Sequence, residues 1–286
     1  MMTATAHPSP GTLYIVPTPI GNLEDITLRA LRVLREVDLI AAEDTRHSRK
    51  LLNHYGIVTP LCSYYRENEE QRSSKLLRQL EEGKSIALIS DAGTPGISDP
   101  GAIVVRHAHQ AGLPVVPLPG ASALTTAVSA AGLTTGGFLF QGFLPSKSGQ
   151  RKKTLATLID CAYPIVFYES PQRITGLLSD ALEVFGDREA FWGRELTKSF
   201  EELQFGCLSA LLVRSAEVRN RGEFVLIISP GEREPLPTGT LEELLLWYRD
   251  NSTLSVKDVS LRLAADLGIH RSKIYQQALI LWQDKP

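Results

Sequence analysis

The residues 90–101, Ser90-Asp91-Ala92-Gly93-Thr94-Pro95-Gly96-Ile97-Ser98-Asp99-Pro100-Gly101, directly follow the apolar run Ile86-Ala87-Leu88-Ile89. So much glycine, proline and aspartate exceeds what a plain connector needs. Glycines let backbone approach a ligand, prolines fix the loop's path, and a carboxylate at a strand end can receive an amino group. The competing explanation is an elaborate structural turn. A second loop, Leu118-Pro119-Gly120-Ala121-Ser122-Ala123, opens a helix rich in small residues, which implies close backbone packing or ligand contact.

The densest cationic groups are Arg46-His47-Ser48-Arg49-Lys50, Lys147 with Arg151-Lys152-Lys153, and Arg214 with Arg219 and Arg221. Each is either a contact for an acidic partner or a solvated face. The formal net charge is −2, so an RNA partner would be held by such local groups and not by a global field. Other chemistries are missing. There is no G-x-G-x-x-G or H-E-x-x-H, Gly83-Lys84-Ser85 lacks the earlier glycine of a phosphate-binding loop, and His107 and His109 diverge on a helix. No metal site is expected.

The elements that must position these residues alternate. Leu13-Tyr14-Ile15-Val16 reads as a strand, and Leu28, Leu31, Val33, Leu34 and Val37 have helical spacing after a tight loop. Strands follow at 39–42, 86–89 and 115–116, with helices over 73–82 and 100–110. A second series has strands at 138–141, 165–168, 190–192 and 224–228. Such alternation predicts mainly parallel sheets, with ligands beyond the carboxyl ends of the strands. After the turn-rich residues 230–239 the runs 241–248, 256–267 and 272–282 read as helices alone. The last two, joined at Leu267-Gly268-Ile269, have a helix-turn-helix cadence, or form a packed three-helix plug.

The class is therefore α/β: residues 1–10 disordered, an N-terminal α/β lobe over 11–118, a second over 119–232, and a small helical domain over 239–286, with a ligand cleft between the lobes. A length of 286 residues accommodates this, and 43% hydrophobic with 22% charged residues is ordinary globular composition. Residues 1–10 have neither the basic start nor the apolar stretch of a secretory signal, and no run approaches the ~18 apolar residues of a membrane span. The cysteines, Cys62, Cys161 and Cys207, are odd in number and far apart, which points to a reducing cytoplasm. The sequon Asn251-Ser252-Thr253 then carries no meaning.

Residues 13–21, 90–101, 118–123, 138–145 and 222–228 together resemble, in order and spacing, the tetrapyrrole (corrin/porphyrin) methylase superfamily across nearly all of 13–230. Within it the chain is similar to the branch that methylates a cytidine ribose 2′-oxygen in 16S ribosomal RNA of the small ribosomal subunit. The strings that carry this are Ile15-Val16-Pro17-Thr18-Pro19-Ile20-Gly21-Asn22-Leu23, Ala42-Glu43-Asp44-Thr45-Arg46, the 90–101 loop, Gly142-Phe143-Leu144-Pro145, Tyr168-Glu169-Ser170-Pro171-Gln172-Arg173 and Arg194-Glu195-Leu196-Thr197-Lys198. The resemblance implies S-adenosyl-L-methionine as cofactor, in the inter-lobe cleft against Pro19, Ile20, Gly21, Asp91, Gly93, Thr94, Gly120, Ala121, Ser122, Tyr168, Glu169, Leu196 and Thr197. It also implies a homodimer. Prolines 17 and 19 stand where many small-molecule members have glycines.

Attack of a hydroxyl oxygen on a methyl sulfonium needs the partners aligned and a base within ~3 Å of the hydroxyl. Asp44, Glu169 and Glu195 are the candidates, each near an arginine with which it could instead pair. Arg46, Arg49, Lys50, Arg173, Arg194 and Lys198 are the candidate RNA contacts. Two other functions stay open: a small-molecule methylase acting on a tetrapyrrole carbon, and a non-catalytic RNA-binding protein on the same fold.

Overall fold

The computed structural model describes residues 10–217, 222–231, 239–252 and 254–282. Residues 1–9, Arg219, Arg221 and Thr253 lie outside the described residues, and with them most of the segment expected to be disordered and part of one basic group. The chain divides into two compact units, Met1–Gly231 and Glu232–Pro286.

The first unit holds two five-stranded sheets. The first lobe runs β1 (Leu13–Ile15), α1 (Leu28–Glu36), β2 (Leu39–Ala42), α2 (Thr45–His54), β3 (Leu61–Ser63), α3 (Glu69–Glu81), β4 (Ile86–Ile89), α4 (Ala102–Gln110) and β5 (Val115–Pro117). Its order is β3-β2-β4-β1-β5, and every pair is parallel. Strands of such a sheet are covered on both faces, which is why they read as unbroken apolar runs. Val16, Ile40, Ala42, Ala87 and Ile89 pack with residues of α1 and α2. Leu13, Ile15, Ala41, Ile86 and Leu88 pack with α3 and α4. Because β1 and β4 are neighbours, the loops leaving their carboxyl ends meet. Thr18 N donates to Gly93 O and Gly93 N to Thr18 O, both at 2.9 Å, a pairing that Gly93 reaches with φ +84°.

The second lobe follows α5 (Ala123–Ala130) and comprises β6 (Leu139–Phe143), α6 (Ser148–Ala156), β7 (Ile165–Glu169), α7 (Ile174–Phe185), β8 (Glu189–Arg194), β9 (Glu202–Cys207), α8 (Leu208–Ser215) and β10 (Phe224–Ile228). The mainly parallel sheet expected here is not found. The order is β6-β7-β10-β8-β9, only β6 and β7 are parallel, and β10 and β9 run antiparallel to their neighbours. The reason is the connection after β8: a tight turn with positive φ at Glu195 (+50°) and Thr197 (+66°) returns the chain as β9 without a helix. One face of this sheet packs Phe167, Trp192, Phe224 and Leu226 against α6, α7 and α8. The other packs Val166, Phe191, Val225 and Ile227 against Leu124 and Ala127 of α5, together with Ile20 and Leu196. Ile20 of the first lobe and α5 are thus part of the second lobe's core.

The second unit is a helical cluster of α9 (Leu241–Asn251), α10 (Val256–Leu267) and α11 (Arg271–Trp282) around Leu244, Leu245, Tyr248, Val259, Leu263, Ile274 and Ala278. Thr240 and Glu243 form a capping box on α9, Ser255 caps α10, and Gly268 at φ +65° ends α10. Among the described residues no helix is long and apolar enough to cross a membrane.

Candidate active site

A pocket of about 320 Å³ lies where the loops after β1 and β4 face the carboxyl end of β7 and the start of β10. Asp91, Thr94 and Asp99 of the 90–101 loop line it, as do Ser122 just before α5 and Tyr168 and Glu169 at the end of β7. Hydrogen bonds across the lobes fix this assembly. Thr94 Oγ1 donates to Ala121 O at 3.0 Å, and Leu124 N donates to the Tyr168 hydroxyl at 3.0 Å. Asp91 Oδ1 accepts Asp44 N at 3.0 Å, while Asp91 N approaches Glu43 Oε2 at 3.4 Å, tying β4's loop to the end of β2.

Of the residues that the resemblance assigned to the cofactor, Ile20, Asp91, Gly93, Thr94, Ser122, Tyr168 and Glu169 line this pocket. The others surround it. Pro19 lines a small neighbouring cavity that shares Asp91. A Cβ on Gly21 would stand 2.3 Å from Lys198 Cγ and 3.0 Å from Leu196 O, so its missing side chain lets the first loop press on the β8–β9 turn. Gly120 does the same against Pro17, whose Cβ would be 2.8 Å away. Ala121 supplies the carbonyl that holds Thr94. Leu196 is buried in the core on the α5 side, and Thr197 N donates to Glu201 Oε2 at 2.7 Å. The sequence reading missed Glu43, Asp99, Phe143 and Val225 as lining residues. Asp99 lies inside the 90–101 loop, Glu43 inside Ala42-Glu43-Asp44-Thr45-Arg46 and Phe143 inside Gly142-Phe143-Leu144-Pro145.

The three acids proposed as bases have different surroundings. Asp44 is the N-cap of α2. Its Oδ1 accepts Arg46 N at 2.7 Å and His47 N at 3.4 Å, bonds that hold its carboxyl below the usual range. Glu195 lies in the β8–β9 turn, where Oε1 accepts Lys198 Nζ at 2.6 Å and Glu223 N at 3.2 Å. Glu169 does line the pocket, with its side chain fully buried; Oε1 accepts Ser170 N at 2.8 Å and Oε2 lies 3.1 Å from Arg173 Nη2. Burial pushes its carboxyl up, against the opposing pull of Ser170 N and Arg173. Burial likewise raises Glu43, and pushes Asp99 up to about 6 with help from the charges of Glu43 and Asp91.

The cations divide in the same way. Arg46, Arg49 and Lys50 are exposed on α2. Arg46 stands in the first turn of that helix because Asp44 caps it. Arg173 donates to Leu144 O at 2.5 Å beside Glu169, Arg194 pairs with Glu202 at 3.3 Å, and Lys198 pairs with Glu195. The Arg151–Lys153 group is largely a structural pairing: Arg151 is buried against Asp180 of α7 and Lys152 bonds Glu183.

Two α/β lobes with an acidic pocket where their loops meet define a class. The family model for Tetrapyrrole (Corrin/Porphyrin) Methylases matches residues 12–212, and the chain belongs to that family. Its curated relatives are more specific. The chain is 44% identical over 278 residues to the Ribosomal RNA small subunit methyltransferase I of Pseudomonas aeruginosa, covering 95% of this chain and 98% of that one. It is 47% identical over 277 residues to the protein of that name from Vibrio cholerae, covering 94% and 93%. The Bacillus subtilis protein of that name is 43% identical over 272 residues, covering 93% of each. Solved structures bear on the fold alone. Diphthine synthase has a TM-score of 0.61 at 15% identity, covering 77% of this chain and 90% of its own. A Thermus thermophilus uroporphyrin-III C-methyltransferase complexed with S-adenosyl homocysteine has a TM-score of 0.53 at 22% identity, covering 78% and 98%.

Proposed function

We propose that this chain transfers a methyl group from S-adenosylmethionine to small-subunit ribosomal RNA, at the ribose 2′-oxygen of a cytidine in 16S rRNA. The observation that carries the reading is the pocket's composition, in a chain whose relatives over nearly full length are named for rRNA methylation. The fit to the cofactor is chemical. S-adenosylmethionine combines cationic ammonium and sulfonium groups with an apolar ring system. The pocket sets carboxylates of Glu43, Asp91 and Asp99 beside apolar walls of Ile20, Ala92, Phe143 and Val225. Glu169 is buried at the same wall, its Oε2 facing the Arg173 guanidinium at 3.1 Å.

Asp91, Thr94, Ser122, Tyr168 and the backbone at Gly93 would hold the cofactor, with Pro19, Gly21, Gly120, Ala121, Leu196 and Thr197 shaping the walls behind them. Bound there, the cofactor supplies an activated methyl group. Arg46, Arg49 and Lys50 stand on the helix that begins directly after β2, next to Asp91, and would receive RNA phosphates. Arg173, Arg194 and Lys198 are engaged with carboxylates, so in this reading they set the shape of the second lobe's rim. Glu169 anchors the end of β7 through Ser170 and Arg173, Asp44 holds α2, and Glu195 holds the β8–β9 turn. The exposed Arg271 and Lys273 at the start of α11 offer RNA a further contact.

We carry the homodimer within the same proposal. Among the described residues edge strand β9 pairs only with β8, and it exposes Leu203 and Phe205, which a second copy would cover; light scattering reads the mass. The function itself is tested with purified protein, methyl-labelled cofactor and small ribosomal subunits, followed by mass mapping of the RNA. Label on one cytidine ribose is expected. Label passing to a tetrapyrrole and not to RNA, or no turnover at all, would overturn it.

A further inference from the structure

None of the acids picked out by motif order is well placed to take a proton from a substrate, because each is already bonded within the protein. Asp99 differs. It is half-buried and lines the pocket with the Ser90 hydroxyl beside it, and among the described residues its carboxylate enters no ion pair. The titratable and charged groups that act on it come from several elements: Asp91 on its own loop, Glu43 at the end of β2, Arg66 in the turn before α3, and Tyr168 on β7.

Its position is over-determined from both sides. The preceding residue, Ser98, has φ +67°, a strained value for a residue with a side chain, and its carbonyl accepts Arg66 Nη2 at 3.2 Å. Beyond it, Gly101 N donates at 2.8 Å to Glu69 Oε1, itself held by the Tyr64 hydroxyl at 3.2 Å. The loop thus delivers this carboxylate to the pocket on a braced turn. Anchored geometry of this kind is what proton transfer to a positioned side chain requires.

We propose that Asp99 takes the proton from the attacking ribose hydroxyl, an inference that rests on the RNA-methylating reading above. As the O–H bond breaks toward the Asp99 carboxylate, the oxygen's electron pair forms the new C–O bond to the methyl group. The electron pair of the broken C–S bond stays on sulfur, which leaves as a neutral thioether. Burial and the neighbouring carboxylates make Asp99 a stronger base than an ordinary aspartate, yet one that is ionised at neutral pH.

The test uses the full-length enzyme and its Asp99→Asn variant. Single-turnover methyl transfer to purified small subunits is followed from acid to neutral pH, and S-adenosylmethionine binding is measured by calorimetry. Because a base must be unprotonated, the wild-type rate should rise as pH increases through about 6 and then level. The variant should lose that limb and run slower by roughly 10²- to 10⁴-fold, while the loss of one pocket carboxylate lowers cofactor affinity by only a small part of that factor. A variant rate equal to wild type overturns the proposal. So does a cofactor affinity that falls in step with the rate, which would make Asp99 a cofactor ligand. If Asp99→Asn fails to fold, Asp99→Ser and the wild-type pH profile decide, a flat profile being the negative result. A wild type that transfers no methyl to subunits overturns the RNA-methylating reading itself, and this inference with it.

Discussion

The two lobes of the first unit treat charge in opposite ways. In the second, Arg151 and Lys152 meet Asp180 and Glu183, Arg173 meets Glu169, Arg194 meets Glu202, and Lys198 meets Glu195. In the first, Glu43, Asp91 and Asp99 crowd one pocket, while Arg46, Arg49 and Lys50 stand exposed on α2. Pairs cancel where the lobe needs only to hold together. Unpaired charge of one sign, in contrast, repels itself and is retained where a ligand of the other sign can use it.

Breaking a pair in the second lobe should have the largest effect. The Arg151 and Asp180 side chains are 7% and 9% exposed at 2.7 Å, so Arg151→Ala strips both donors from Asp180 Oδ2 and leaves the buried carboxylate only Ser148 and Lys152 on Oδ1, which should cost about 3 kcal/mol in urea unfolding. A loss below about 1 kcal/mol would show that this lobe does not depend on its pairs. Next in size, Arg46→Ala combined with Arg49→Ala should leave unfolding unchanged but weaken binding to small subunits on the order of tenfold, with a salt dependence shallower by about 1 to 2 units of slope. An unchanged slope would return α2 to the status of a solvated face.

The smallest effect sharpens the contrast from within the pocket. The Asp99 carboxyl is raised on folding, so its contribution to stability is fully present at low pH and is lost as pH rises through about 6. Asp99→Asn escapes that loss. The cofactor-free variant should therefore gain on wild type between acid and neutral pH, by on the order of 1 kcal/mol after discounting for solvent at this half-exposed site. Thermal melting across the range reads it, and a gain in the opposite direction would mean that the pocket's negative charge is compensated after all.

Much of this organisation was visible in the sequence, for physical reasons that differ by element. The first lobe's strands announced themselves because burial on both faces demands continuous apolar runs. Strand β9 was passed over although Glu202, Leu203, Gln204 and Phe205 alternate as a one-sided strand must, and with it went the antiparallel sheet. Helix α2 was hidden by reading its charges first; its cap, Asp44, and its buried Leu51 and Leu52 were the better signal. The pocket loop was found, but not that Asp99 faces the pocket, because that follows from the positive φ at Ser98 and from partners at Arg66 and Glu69 far along the chain. At the end of β2 neighbouring side chains diverge, so Glu43 lines the pocket while Asp44 turns to the helix, a choice no motif string contains.

Gly21 has a consequence of another kind. Its hydrogen sits where any side chain would collide with Lys198 Cγ at 2.3 Å and crowd the Leu196 carbonyl at 3.0 Å. The distance between the first loop of one lobe and the β8–β9 turn of the other is therefore set by the thickness of bare backbone. That makes position 21 a spacer of minimum gauge between the two lobes. A methyl group there would act as a shim, prying the turn outward, so the spacing of the lobes would change although none of the colliding residues lines the pocket.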